Sequence, residues 1–210
     1  MARLPTKTAL FETAKSWDVE RVKAILAAQP KLVTATDPRG RMAIHIACSA
    51  KPGRTQAEPD GIKTVTALLK AGSPLEAEVP MPEDEGEFRA TPVWYAYSRG
   101  ENPPLVRFLI KRGAETSYSL WAAVWRDDDA MCREFLKMNP RLNLLAHGET
   151  PIFYAARLQR LRTLNLLIKA GADPRIKDPR GRDAVDIARA RRLPKEMIQR
   201  LAELKQRMEQ

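Results

Sequence analysis

The chain has 210 residues, 44% of them hydrophobic and 30% charged, enough for one or two ordinary domains with a buried core and a well-solvated surface. Its net charge is +10 and its sequence pI is near 9.9, a balance that favours acidic partners, whether protein or nucleic acid. The longest apolar runs, such as LNLLI at Leu164–Ile168, are far too short to cross a bilayer, and the opening MARLPTKTALFETAKSWDVE lacks the apolar stretch of a signal peptide, so a cytoplasmic protein without a membrane partner is expected.

In chain order, the first predicted helix opens near Thr8 with TALFETA, and the next, ILAAQPKLV at Ile25–Val33, leaves through a proline. The pentapeptide DPRGR at Asp37–Arg41 then turns the chain into MAIHIAC, and VTALLKAGSP ends a further helix at Gly72. Between these two helices lie about nine extra residues, within SAKPGRTQAEPDGIK, and about seven more follow the second helix around VPMPEDEGEFRA. Proline, glycine and charge predict mobile surface loops for both insertions. Next, RATPVWYAYSRG at Arg89–Gly100 opens a helix with Thr-Pro, and VRFLIKRGAE leaves at Gly113, only five residues before Tyr118. YSLWAAV follows from Tyr118, and FLKMNPRLN at Phe135–Asn143 again leaves through a proline. Thr150–Arg182 is a 33-residue unit with a Thr-Pro opening, a glycine exit and a second DPRGR at Asp178–Arg182. DAVDIA from Asp183 begins an atypical last unit that runs into RARRLPKEMIQRLAELKQ.

The period is the strongest signal. MAIHIA, TPVWYA, TPIFYA and DAVDIA open first helices, and GSP, GAE and GAD close second helices, in phase along the chain. This resembles the ankyrin-repeat family. The resemblance implies an all-α solenoid of about six helix-turn-helix repeats with finger loops, some irregular, in a single domain. The approximate bounds are 8–41, 42–90, 91–117, 118–149, 150–182 and a C-terminal cap at 183–210. Leu10, Ile44, Val93, Leu120, Ile152 and Val185 share one first-helix position and are expected in the core. His45 alone keeps the family's histidine, for which the resemblance implies a hydrogen-bonded brace; Phe11, Trp94, Trp121 and Phe153 fill that slot elsewhere.

The resemblance also implies binding of a macromolecule on the concave side, made of fingers and exposed first-helix faces. The residues after the histidine slot, Glu12, Ile46, Tyr95, Ala122, Tyr154 and Ile187, should then face that groove. Tyr95, Trp125 and Tyr154 stand on successive repeats, interleaved with Arg99, Arg126 and Arg157, and these residue types are enriched at interface hot spots. Tyr95 and Tyr154 either face the groove or pack between helices; Trp125 is read as exposed. The fingers add Arg39, Arg41, Arg180 and Arg182, either as a clamp for an acidic ligand or as solvated turn residues.

Chemistry of other kinds has little support. Asp127–Asp129 reads as a helix cap, and Cys48 and Cys132 read as isolated buried thiols with no zinc-like ligand cluster beside them. No GxxxxGK, nucleophile elbow or HExxH occurs, nor a recognisable nucleic-acid motif. The expectation is a non-enzymatic, cofactor-free, monomeric module that binds a protein partner with an acidic surface, as an inhibitor, immunity-type or regulatory protein. Nucleic-acid binding through the basic surface is the alternative.

Overall fold

The computed structural model describes residues 4–54, 56–81 and 87–210. The chain divides into two compact units, residues 1–81 with 89–115, and residues 82–88 with 116–210.

Three helix pairs build the first unit: α1 (Lys7–Lys15) with α2 (Val19–Ala28), α3 (Ala43–Ser49) with α4 (Ile62–Lys70), and α5 (Pro92–Ser98) with α6 (Pro103–Lys111). Like packs on like: α1 on α3, α3 on α5, and α2 on α4. Each pair presents an apolar stripe that only a neighbouring pair can cover, so stacking creates the core. Leu10, Ile44 and Val93 are accordingly buried at the shared position. Helix starts are capped by side chains: Thr6, Asp18 and Asn102 accept the amides of Ala9, Arg21 and Leu105. A two-residue antiparallel ladder, β1 (Val79–Pro80) on β2 (Arg89–Ala90), closes the base of the inserted finger. The rest of that finger, residues 82–86, lies outside the described residues, so its expected mobility stays an expectation.

The second unit repeats the scheme with α7 (Ser117–Arg126) and α8 (Asp129–Leu136), α9 (Pro151–Arg157) and α10 (Leu161–Ala170), and α11 (Ala184–Ala190) and α12 (Lys195–Glu209). Here α7, α9 and α11 form one row and α8, α10 and α12 the other. Leu120, Ile152 and Val185 are buried as the repeat pattern requires. The aspartate run is a cap: Asp128 accepts the Met131 amide at 3.0 Å, and Asp127 accepts both the amide and the hydroxyl of Thr163 at 3.0 Å.

One recurring device escaped the sequence reading. The turn inside each helix pair holds a residue in the left-handed region: Trp17, Glu101, Asp127, Gln159 and Arg192, with Gly61 taking that place in the pair interrupted by the insertion. The loop at 50–61 is also less free than its composition suggests. The Ala57 amide donates to Ser16 O at 2.9 Å, and Glu58, itself buried, accepts the amides of Lys63 and Thr64 at the start of α4. Trp17 donates from Nε1 to Ala47 O at 2.9 Å, and its ring lies flat enough against Gly61 that an added Cβ would meet it at 2.5 Å.

Candidate binding surface

The two DPRGR fingers have the same internal geometry. Asp37 Oδ1 accepts the amides of Arg39 and Arg41, each at 2.9 Å, while its other oxygen takes the Arg41 guanidinium at 2.7 Å. Asp178 does the same for Arg180 at 3.0 Å and Arg182 at 2.8 Å, with the Arg182 guanidinium at 2.6 Å. Gly40 and Gly181 sit at φ 77° and 74°, which lets the turn close on the aspartate. Burial works to raise both carboxyls, but the guanidinium and the amides outweigh it and hold them below the usual carboxylate range. Arg41 and Arg182 are therefore engaged by the turn itself, which sets them apart from the other two finger arginines. Arg39 and Arg180 remain exposed.

In the first unit, His45 braces its finger as the resemblance implied: Nδ1 accepts the Met42 amide at 2.9 Å, and Nε2 meets Ala77 O at 2.8 Å. Burial keeps this imidazole below its ordinary pKa. Tyr95 is only 6% exposed, edge-on to His45 and to Trp94. It belongs to the packing, because the ring beside it is a buried brace. Ile46 and Ile187 are likewise buried, whereas Glu12 is exposed. Arg99 is exposed and lies 5.5 Å over the Trp94 ring.

The second unit brings its predicted residues together. Trp125 is 57% exposed, and its ring stacks on Tyr154 with centroids 6.4 Å apart. Tyr154 is half-buried, held from below by Trp121 at 5.0 Å. The Arg157 guanidinium lies 5.0 Å from the centre of the Tyr154 ring and pairs with Glu149 at 2.8 Å. Arg126 is exposed beside Trp125. Beyond Arg157 opens a cleft of about 400 Å³, lined by Arg157, Arg180, Arg182 and Arg191 with Glu149 and Asp178, and by His147, Pro179 and Ile187. Glu149, His147 and Arg191 were not singled out by sequence. The signal for the first two was the dipeptide His147-Gly148: both residues are left-handed, at φ 54° and 68°, and Ala146 and Glu149 exchange two hydrogen bonds of 3.0 Å across them. That is a tight two-residue hairpin at a finger tip.

Among the described residues, no cluster of three metal-ligating side chains occurs, and no helix is long and apolar enough to cross a membrane. Cys48 and Cys132 are buried and free; burial pushes the Cys132 thiol up to about 12, and Cys48 higher still, so both stay protonated.

A family model described as ankyrin repeats, in three copies, matches residues 93–178. The fold is similar to that of an ankyrin repeat domain from Acinetobacter baumannii AYE, with a TM-score of 0.70 and 22% identity over 95% of this chain and 98% of that one. It is also similar to a chain in the structure of the Bd0816 predatory endopeptidase from Bdellovibrio bacteriovorus in complex with immunity protein Bd3460, with a TM-score of 0.65 and 23% identity over 95% and 99% of the two chains. The ankyrin repeat domain of Bcl-3, a member of the IkappaB protein family, gives a TM-score of 0.60 and 20% identity over 92% and 97%. Identities at this level carry the fold and nothing finer. No curated protein matches the sequence.

Proposed function

We propose that this chain, whose residues 93–178 match ankyrin repeats and whose fold is that of ankyrin repeat domains, is a non-enzymatic module that binds one protein partner through the surface of its second unit centred on Trp125, Tyr154 and Arg157. Ankyrin repeats are protein-interaction modules, and one observation carries the choice of surface. A tryptophan more than half exposed, stacked on a tyrosine that is itself pinned from below, is a preorganised aromatic anchor. Arg126 and the guanidinium of Arg157 border it, so the partner we propose presents an acidic rim around an apolar contact. The module acts as a monomer in the cytoplasm, in a regulatory or immunity-type role of the kind named for the endopeptidase–immunity protein complex.

The experiment is partner capture with the full chain as bait. Trp125→Ala should weaken capture by roughly thirtyfold or more, as for a hot-spot tryptophan, while thermal unfolding stays within about 0.5 kcal/mol of the parent. Unchanged capture would remove this surface from consideration. The +10 charge favours a second reading, nucleic-acid binding. That reading requires a salt-dependent mobility shift with DNA or RNA, and no shift at low salt ends it.

A further inference from the structure

The cleft beside the aromatic anchor has a charge pattern that the fold does not need. Its two carboxylates are already committed: Glu149 to Arg157 at 2.8 Å, and Asp178 to Arg182 at 2.6 Å together with two finger amides. Arg180 and Arg191 line the same cleft, are exposed, and have no carboxylate within ion-pair distance among the described residues. Four guanidinium groups against two carboxylates leave a surplus of two positive charges around about 400 Å³. Such a surplus in a partly walled space focuses field on whatever enters.

The walls are also fixed in place. The Arg182 guanidinium lies 6.0 Å over the Phe153 ring, which is buried. The His147-Gly148 hairpin presses on the neighbouring finger so closely that a Cβ on Gly148 would meet Pro179 Cγ at 2.7 Å. Gln159 Nε2 donates to the Arg191 carbonyl at 3.0 Å, anchoring the backbone that carries the fourth arginine. Pro179 and the buried Ile187 give the cleft apolar lining. The two unpaired guanidiniums thus stand on rigid backbone, with their charge-assisted donors open to solvent.

We propose that this cleft is the acceptor for an acidic segment of the protein partner, taking two adjacent carboxylates onto Arg180 and Arg191 while an apolar side chain of the same segment covers Trp125. The assignment rests on the partner-binding reading above and specifies its chemistry. Guanidinium groups match carboxylates in a planar, paired geometry. The apolar lining and the neighbouring stacked ring select a peptide over a bare anion.

Calorimetric titration of the full chain tests this with three probes: the acetylated and amidated pentapeptide Glu-Glu-Phe-Glu-Glu, its glutamine counterpart, and inorganic phosphate. The acidic peptide should bind, and the double variant Arg180→Ala/Arg191→Ala should weaken it at least tenfold. The glutamine peptide should lose a similar factor, and phosphate at equal concentration should leave the peptide isotherm unchanged. The variant keeps the Arg180 amide that Asp178 accepts, so its thermal unfolding should match the parent and report folding independently. No binding of the acidic peptide, equal binding of the glutamine peptide, an unaffected double variant, or full displacement by phosphate each overturns the assignment. Partner capture separates the two readings. Loss in Trp125→Ala with normal capture and peptide binding in the double variant sinks the cleft and leaves the anchor standing. Loss in the double variant alone sinks the anchor.

Discussion

Aspartate governs the local order of this molecule. In each DPRGR finger one carboxylate collects two amides and a guanidinium, so its removal leaves donors without an acceptor in a half-buried turn. Asp178→Ala should therefore cost about 2–3 kcal/mol in urea denaturation, more than a surface ion pair would. At Asp183, burial pushes upward, but the Lys205 ammonium at 2.7 Å and the amides of Val185 and Asp186 prevail and lower its pKa. Asp173 is lowered first by Arg175. Groups with depressed folded-state values contribute stability above their ordinary value of 3.8 and lose it as pH falls through the lower folded value. His45, depressed from 6.5 by burial, acts in the same direction at higher pH, because the unfolded chain takes up its proton first. Stability measured against pH should thus fall in two stages, a shallow one below about 6.5 that His45→Phe removes, and a steep one below about 3.8. None of this was visible in the pentapeptide alone. The sequence pointed to a turn, but whether an arginine beside it is spent or free depends on how far the aspartate reaches around the loop.

Helix pairs were legible because their signals are local: Thr-Pro openings, paired alanines, glycine exits and an apolar period. What sequence reading missed depends on contacts between distant segments. The 50–61 insertion looked like a loose loop, yet Ser16, Trp17 and the start of α4 all hold it. Tyr95 and Tyr154 occupy the same repeat position, but one packs on a buried histidine and the other on an exposed tryptophan, so one is buried and the other only half-buried. Gly61→Ala is the sharpest test of the insertion's role. Its Cβ would drive into the Trp17 ring, and its backbone sits at φ 69°, so a loss of about 2–3 kcal/mol is expected. Trp17→Phe in the same background should recover part of that loss if the clash is the cause, measured by chemical denaturation of both single variants and the double variant.

At the scale of a whole unit, α12 decides whether the stacked rows of the second unit are covered. The final helix, α12, exposes Lys195, Glu196, Gln199 and Glu203 and buries Leu201 and Leu204 in the core of the second unit. Lys205 on the same helix holds the cap of α11. A chain ending at Pro194 should lose about 3–6 kcal/mol, the burial of two leucines and their neighbours, and should expose apolar surface that binds a reporter dye. The duplicated finger has a different use. Each compact unit carries one copy of the same five residues in the same conformation, Asp37–Arg41 in the first and Asp178–Arg182 in the second. Covalent chemistry and backbone geometry cancel between them, so any difference in their side-chain NMR titrations measures surroundings alone. The protein contains its own internal standard: Asp37 can serve as the reference signal against which a ligand arriving beside Asp178 is detected.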